Sequence, residues 1–251
     1  MEKELWRNFF TEDYVGFSEV ILNKERTNFE VEQLKKLISD ENSSILDLGC
    51  GQGRITIPLA NEGYKIIGLD GSPELLDAAF KRAEKGNTKV KFINEDMRNL
   101  SFENEFDVII NIGTAFGYIE SSDEEKGILS KVFKALKPNG VFIQETENRE
   151  LKLKNSLGKV WHEMGGVPVF SDRTFDVDTG RWQEKISWFA DGVIKEKILN
   201  VRLYAATELV SLHKEAGFKD VSLFGGFDFS PLHMNSERLL LVSKKMENLC
   251  D

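Results

Sequence analysis

Apolar positions follow two rhythms along this chain. Through about residue 145, short apolar runs alternate with stretches whose apolar residues recur every three or four positions. The runs at Ser44–Leu48, 64–69, 90–93, Phe106–Asn111 and 141–145 read as strands. A Gly-rich turn leads from the first of them into a helix ending near Asn61, and 73–84 and 123–136 read as further helices. Pro138-Asn139-Gly140 is placed to stop the last one. Alternating strands and helices predict parallel pairing through right-handed crossovers, and strands apolar on both faces fit a sheet covered on both sides.

After about residue 150 the rhythm changes. Residues 167–176, 181–190 and 193–204 are strand-like, joined by turns at Asp178-Thr179-Gly180 and Asp191-Gly192, which reads as an antiparallel β meander. A helix at 207–216, capped by Thr207 or the residue before it and ended at Gly217, precedes two closing strands at 218–224 and 238–244. The expected organisation is an N-terminal helical cap (1–42), a doubly wound α/β core (43–150 and 206–246), and a meander (151–205) roofing the carboxyl edge of the sheet.

Composition narrows the partners. A length of 251 residues suits one large domain, or one with a sizeable insertion. The net charge of −9 argues against a nucleic-acid or anionic-membrane partner, and no apolar run approaches the roughly 18 residues of a spanning helix. The mixed charged and aromatic start is no secretory signal. Two cysteines, Cys50 and Cys250, and three histidines leave little for a zinc site or a disulfide framework, so no metal is expected and a reducing cytoplasm is. Cys250 falls in a terminal tail. A homodimer is left open.

The informative stretch is Leu46-Asp47-Leu48-Gly49-Cys50-Gly51-Gln52-Gly53-Arg54, where a first strand gives way to a helix. Ligands of open α/β sheets bind outside the carboxyl ends of the strands, and a turn without Cβ atoms lets one lie against backbone. Asp70 ends the second strand at the distance from which a carboxylate reaches ribose hydroxyls. A dinucleotide fold wants glycine where Arg54 stands, and no GK[ST] follows. A nucleoside without pyrophosphate fits better, which points to S-adenosylmethionine. Further on, Asp96 is placed to accept adenine amino hydrogens and Met97 to pack on the ring. The segment Asn111-Ile-Gly-Thr-Ala-Phe-Gly-Tyr118 offers small residues for close approach and aromatic walls in Phe116 and Tyr118.

LDLGCGQGR, GLDGSPELLDAA, NEDMRNL, the Phe-Gly-Tyr loop and LKPNG, in that order across 43–145, resemble a class I S-adenosylmethionine-dependent methyltransferase. More loosely, the ERT stretch (Glu25-Arg26-Thr27), the AFGY loop, a Trp-His-Glu segment, the meander and SPL…SERLLLV resemble a bacterial and archaeal subgroup acting on small molecules. The resemblance implies a seven-stranded Rossmann-like sheet of order 3-2-1-4-5-7-6 with strand 7 antiparallel. It implies that Gly49, Cys50, Gly51, Asp70, Gly71, Asp96, Met97 and Asn111 line the cofactor, with Tyr14 and Thr27 reaching its methionine end.

Methyl transfer from a sulfonium is an in-line displacement, so the protein mainly aligns the partners and excludes water; an amine acceptor need only be neutral, whereas a hydroxyl needs a base. Tyr14, Phe116, Tyr118 and Trp161 are candidates to shape that dry cavity, and His233 sits in a loop able to fold over it. His162 lies early in the insertion and His213 mid-helix, on the surface by this reading. Glu145, Asn148 and Arg149 either position substrate or cap the chain as it leaves the sheet. The acceptor is expected to be a small molecule methylated on nitrogen or oxygen, leaving S-adenosylhomocysteine. An RNA or protein acceptor, or a binding module without turnover, are the rivals.

Overall fold

Residues 4–38 and 40–246 are described by the computed structural model, and Cys250 lies outside them. Three helices come first: α1 (Leu5–Phe9), α2 (Glu12–Ile21) and α3 (Lys24–Leu37). The alternating part follows as β1 (Ser44–Leu48), α4 (Thr56–Asn61), β2 (Lys65–Asp70), α5 (Pro73–Lys85), β3 (Lys91–Asn94), β4 (Phe106–Asn111), α6 (Ser122–Ala135) and β5 (Leu136–Glu147). Then come α7 (Arg149–Asn155), the meander β6 (Gly158–Met164), β7 (Val167–Asp176), β8 (Arg181–Ala190) and β9 (Val193–Arg202), and finally α8 (Ala206–Ala216), β10 (Asp220–Phe224) and β11 (Arg238–Lys244).

The large sheet runs β3-β2-β1-β4-β5-β11-β10. Its first five strands are mutually parallel, while β11 is antiparallel to both β5 and β10. The last strand of the chain thus slots beside β5, which is the order the resemblance implied.

Two-residue alternation sends neighbouring side chains to opposite layers. Leu46, Leu48, Ile109, Phe142 and Leu241 pack with Ile128, Leu129 and Val132 of α6 and Leu209 and Leu212 of α8. Ile45, Val108, Ile110, Ile143 and Leu240 pack on the other side with Val31 and Leu34 of α3 and Leu59 of α4.

Three local expectations change. Pro138-Asn139-Gly140 does not separate a helix from a strand, because β5 already begins at Leu136. Phe106 pairs with Leu136 and Val108 with Val141, so the tripeptide is a bulge in the ladder, with Asn139 at φ +63°. The N-cap of α8 is Ala205, and Glu208 does the capping, its carboxylate accepting the Ala205 N–H (2.7 Å). His213 is fully buried rather than on the surface, because it shares the inward face of α8 with Leu209. Its ring lies between the Ser243 hydroxyl (2.8 Å) and the Gln144 side-chain oxygen (2.9 Å).

The meander has four strands in the order β6-β7-β8-β9, one more than expected. Neither β6 nor α7 carries a fully buried residue, which is why neither stood out as an apolar run. Cross-strand register aligns His162 with Val169, Trp188 and Lys195 in one row, and Arg173 with Glu184 and Leu199 in another. Both rows are on the face turned toward the core. The N-terminal helices dock on β9, where Lys197 donates to the Asn8 carbonyl (2.8 Å) and Lys195 pairs with Asp13 (3.2 Å). No described helix is long and apolar enough to cross a membrane.

Candidate active site

The glycine turn leaves the carboxyl end of β1 beside Asp70 at the end of β2. The Asp70 carboxylate accepts the Gly51 N–H (2.7 Å) through one oxygen and the Ser72 N–H (2.8 Å) through the other. Burial raises its pKa, while these backbone donors oppose the shift. Gly49 has φ +79°, and a Cβ there would fall 2.6 Å from the Ala115 Cβ, so only glycine lets the first turn touch the loop after β4. At Gly71 an added Cβ would meet the Trp6 ring at 2.7 Å.

Above these turns is an open cavity of about 1040 Å³, walled by Gly49, Cys50, Gly51, Asp70, Gly71, Asp96 and Met97 together with Trp6, Gln52 and Arg54. Gln52 Oε1 and Trp6 Nε1 are buried there without hydrogen-bond partners among the described residues. A buried acceptor and a buried donor, bare backbone and one carboxylate at a strand end match an adenosyl amino acid, which carries both donors and acceptors. The residues present fit S-adenosylmethionine. Burial pushes the Cys50 thiol up, so this cysteine is a small wall residue and no nucleophile.

A second open cavity of about 1260 Å³ lies under the meander. Phe10, Tyr14, Leu22, Gly113, Thr114 and Tyr118 line both cavities and so form the throat between them. Phe10 sets its ring edge-on to Tyr14 (4.9 Å between centroids) and to Tyr118 (5.0 Å). Neither phenol hydroxyl has a hydrogen-bond partner among the described residues. Burial raises the pKa of both, with the nearby Glu147 charge adding at Tyr118, so both stay protonated. Glu147 itself lies below the ordinary glutamate range: burial opposes this, but the charges of Arg238 and Lys152 prevail. Glu147 lies 3.1 Å from Arg238 and 3.3 Å from Lys152. Deeper in, Arg173 pairs with Glu184 (2.9 Å), while His162 has no polar partner among the described residues.

Of the sequence-derived candidates, Tyr14 and Tyr118 stand at the throat and Phe116 lines the first cavity, packed on Tyr204 (5.6 Å). Thr27 lines neither cavity; its hydroxyl accepts from Arg54 (3.3 Å), and Arg54 in turn pairs with Glu30 (2.5 Å). Asn111 is buried beneath the turn, its amide donating to the Leu48 carbonyl (2.7 Å), so it joins β4 to β1 without facing the cavity. Asp96 is on the wall, but its carboxylate already accepts from Arg7 (2.9 Å) and, through three N–H groups, from Arg98. Those four bonds fill its acceptor sites, leaving none for adenine while Arg7 stays in place.

His233 is exposed and lines neither cavity. Asn148 fixes its loop through the His233 carbonyl (3.1 Å) and the Ser236 carbonyl (2.8 Å), and the imidazole Nδ1 accepts the Asn235 N–H (3.2 Å). Trp161 is 68% exposed on the outer face of β6, and its neighbour His162 faces the cavity instead. Arg149 pairs with Glu208 (3.3 Å). Sequence reasoning did not single out Glu147, Arg238 or Thr114. Arg238 and Glu147 are register partners in the β5–β11 ladder, a pairing visible only once the last strand is known to lie beside the fifth.

Comparison with known proteins agrees with this geometry. The methyltransferase-domain family matches residues 39–194. A glycine/sarcosine N-methyltransferase of Parasynechococcus marenigrum is 25% identical over 233 residues, covering 90% of this chain and 81% of the relative. A ubiquinone biosynthesis O-methyltransferase of Rickettsia bellii is 29% identical over 132 residues, covering 52% of this chain and 53% of the relative. Among solved structures, an S-adenosylmethionine-dependent methyltransferase from Clostridium acetobutylicum superposes with a TM-score of 0.78 at 22% identity, covering 94% of this chain and 98% of the other. The amino pentose methyltransferase CalS10 from Micromonospora echinaspora, solved with S-adenosylmethionine bound, gives 0.69 at 18% identity, covering 94% and 97%. The chain belongs to the methyltransferase-domain family and is a class I S-adenosylmethionine-dependent methyltransferase.

Proposed function

We propose that the enzyme methylates the nitrogen of a small polar amine held under the meander. The observation carrying this reading is Glu147, a carboxylate kept ionised in the acceptor cavity and beside Tyr118 at the throat. A half-buried anion there attracts an ammonium and orients the amine it becomes after losing a proton. The Arg173–Glu184 pair adds donors and acceptors suited to a polar acceptor rather than a hydrocarbon. S-adenosylmethionine, when bound, supplies an electrophilic methyl on a sulfonium. Asp70 takes its ribose hydroxyls in this reading, Met97 packs on the adenine, and Arg54 and Tyr14 face its amino-acid end. Phe10, Tyr14 and Tyr118 keep water from the transfer path. Relatives named as acting on glycine and sarcosine, and a structural neighbour named for an amino pentose, support an amine of this size.

One observation favours a second reading. His162, which lines the cavity without a polar partner among the described residues, offers a base that a hydroxyl acceptor would need. One experiment separates the two. S-adenosylhomocysteine release is measured with glycine, sarcosine, an amino pentose, a catechol, a short lysine peptide and an RNA oligomer. Turnover on one of the small amines is the expected result. Turnover confined to the catechol favours the second reading, and turnover confined to peptide or RNA overturns both.

A further inference from the structure

The wall between the two cavities contains a residue in the wrong conformation for its type. Thr114 has φ +62°, in the left-handed region. Glycine enters that region freely and asparagine with little penalty, but a β-branched side chain there is a genuine outlier. Such strain persists only where surrounding contacts over-determine it.

The contacts are present, and all come from two residues. The Thr114 N–H donates to the Glu145 main-chain carbonyl (3.2 Å), and the preceding Gly113 N–H donates to the Glu145 side chain (2.7 Å). Arg238 donates to the Thr114 hydroxyl (2.7 Å) from one terminal nitrogen and to the Glu145 carboxylate from Nε. Glu145 is fully buried, so its carboxylate cannot move off to solvent. The next residue, Ala115, is the one whose Cβ leaves room only for glycine at position 49. A relaxed Thr114 would swing Ala115 relative to the glycine turn, and the cofactor wall would change with it.

We propose that Glu145 and Arg238 are positioning residues that hold Thr114 in its left-handed backbone, and that this strained residue sets the wall shared by the cofactor and acceptor cavities. The proposal concerns the cofactor side of the site and is independent of which acceptor is methylated.

The test is a double-mutant cycle read by calorimetric titration of the apoprotein with S-adenosylhomocysteine. Arg238→Met is expected to weaken binding about tenfold or more in the Thr114 background. In a Thr114→Asn background, where the backbone needs no clamp, the same change is expected to cost less than about threefold. Thr114→Asn alone is expected to raise the melting temperature of the apoprotein by roughly 2–10 °C as strain is relieved. Equal losses in both backgrounds overturn the proposal, as does an unchanged or lowered melting temperature for Thr114→Asn. If Arg238→Met does not fold, Arg238→Lys takes its place: it keeps a charge opposite Glu145 and Glu147 but lacks the rigid guanidinium fork that reaches Glu145 through Nε and the Thr114 hydroxyl through a terminal nitrogen.

Discussion

Replacing Asp70 tests the centre of the cofactor site, and alanine and asparagine test different parts of it. The wild-type carboxylate gives one oxygen to Gly51 N–H at 2.7 Å and the other to Ser72 N–H at 2.8 Å. Each oxygen retains acceptor capacity toward the cavity. Asp70→Ala removes the partners proposed for the ribose hydroxyls, at about 1–3 kcal/mol of binding, or about 5- to 150-fold in Kd for S-adenosylhomocysteine. It also leaves two amide donors without their acceptor. Part of that second loss is offset, because burial of the carboxylate is itself unfavourable, as its raised pKa records. Asp70→Asn keeps the shape but turns an NH₂ group onto one of the two amides, so the turn keeps one hydrogen bond and gains a donor–donor clash. The asparagine variant is therefore expected to melt no higher than the alanine variant, both below wild type. Calorimetric titration gives the binding loss, and melting without ligand gives the turn's share. Wild-type affinity in Asp70→Ala would falsify the assignment of this carboxylate to the ligand. An asparagine variant more stable than wild type would show that the burial cost outweighs the two backbone hydrogen bonds.

Two buried titrating groups give pH signatures of opposite sign. Burial raises Asp47 to about 6 despite the Thr56 hydroxyl it accepts from (2.6 Å), so its favourable contribution is complete below the unfolded value near 3.8 and is lost as pH rises through about 6. Asp47→Asn should gain stability relative to wild type between pH 4 and 6, by on the order of 2–3 kcal/mol, and hold that gain above; urea melts showing a constant difference across the window would contradict this. Burial depresses His213 to about 3, so its contribution is complete above 6.5 and is lost as pH falls from there toward 3. His213→Gln should be less stable at pH 7.5 by roughly 1–3 kcal/mol, through loss of a hydrogen bond to Ser243 or Gln144, yet show a shallower decline on acidification; an equally steep acid limb would exclude His213 as its cause.

What the sequence makes legible depends on whether a signal is local. The glycine turn and Asp70 are readable because a turn packed this closely, with no room for a Cβ at Gly49 beside Ala115 or at Gly71 beside Trp6, excludes side chains at fixed short spacing. The parallel strands are readable because burial on both faces forces apolar runs. Facing within the meander is a matter of parity, and β6, with no fully buried residue, gives no apolar rhythm from which to read it; Trp161 stands out for its aromatic ring, and the strand turns His162 inward instead. His213 reads as a surface residue because an imidazole on a helix gives no sign that Ser243 and Gln144, on two other elements, will meet it. The filled acceptor sites of Asp96 are invisible for the same reason, since Arg7 lies 89 positions away along the chain.

The alternation within the four-stranded sheet has a practical side. Its underside lines the second cavity and its upper side faces water, and the two interleave residue by residue along each strand. Randomising only His162, Ser171, Arg173 and Ile186 would redraw the lining of that cavity while sparing the glycine turn and the outward ladder of Trp161 and Phe170. If the acceptor is held there as proposed, substrate preference can drift, in nature or in a library, at positions separate from the glycine turn and Asp70.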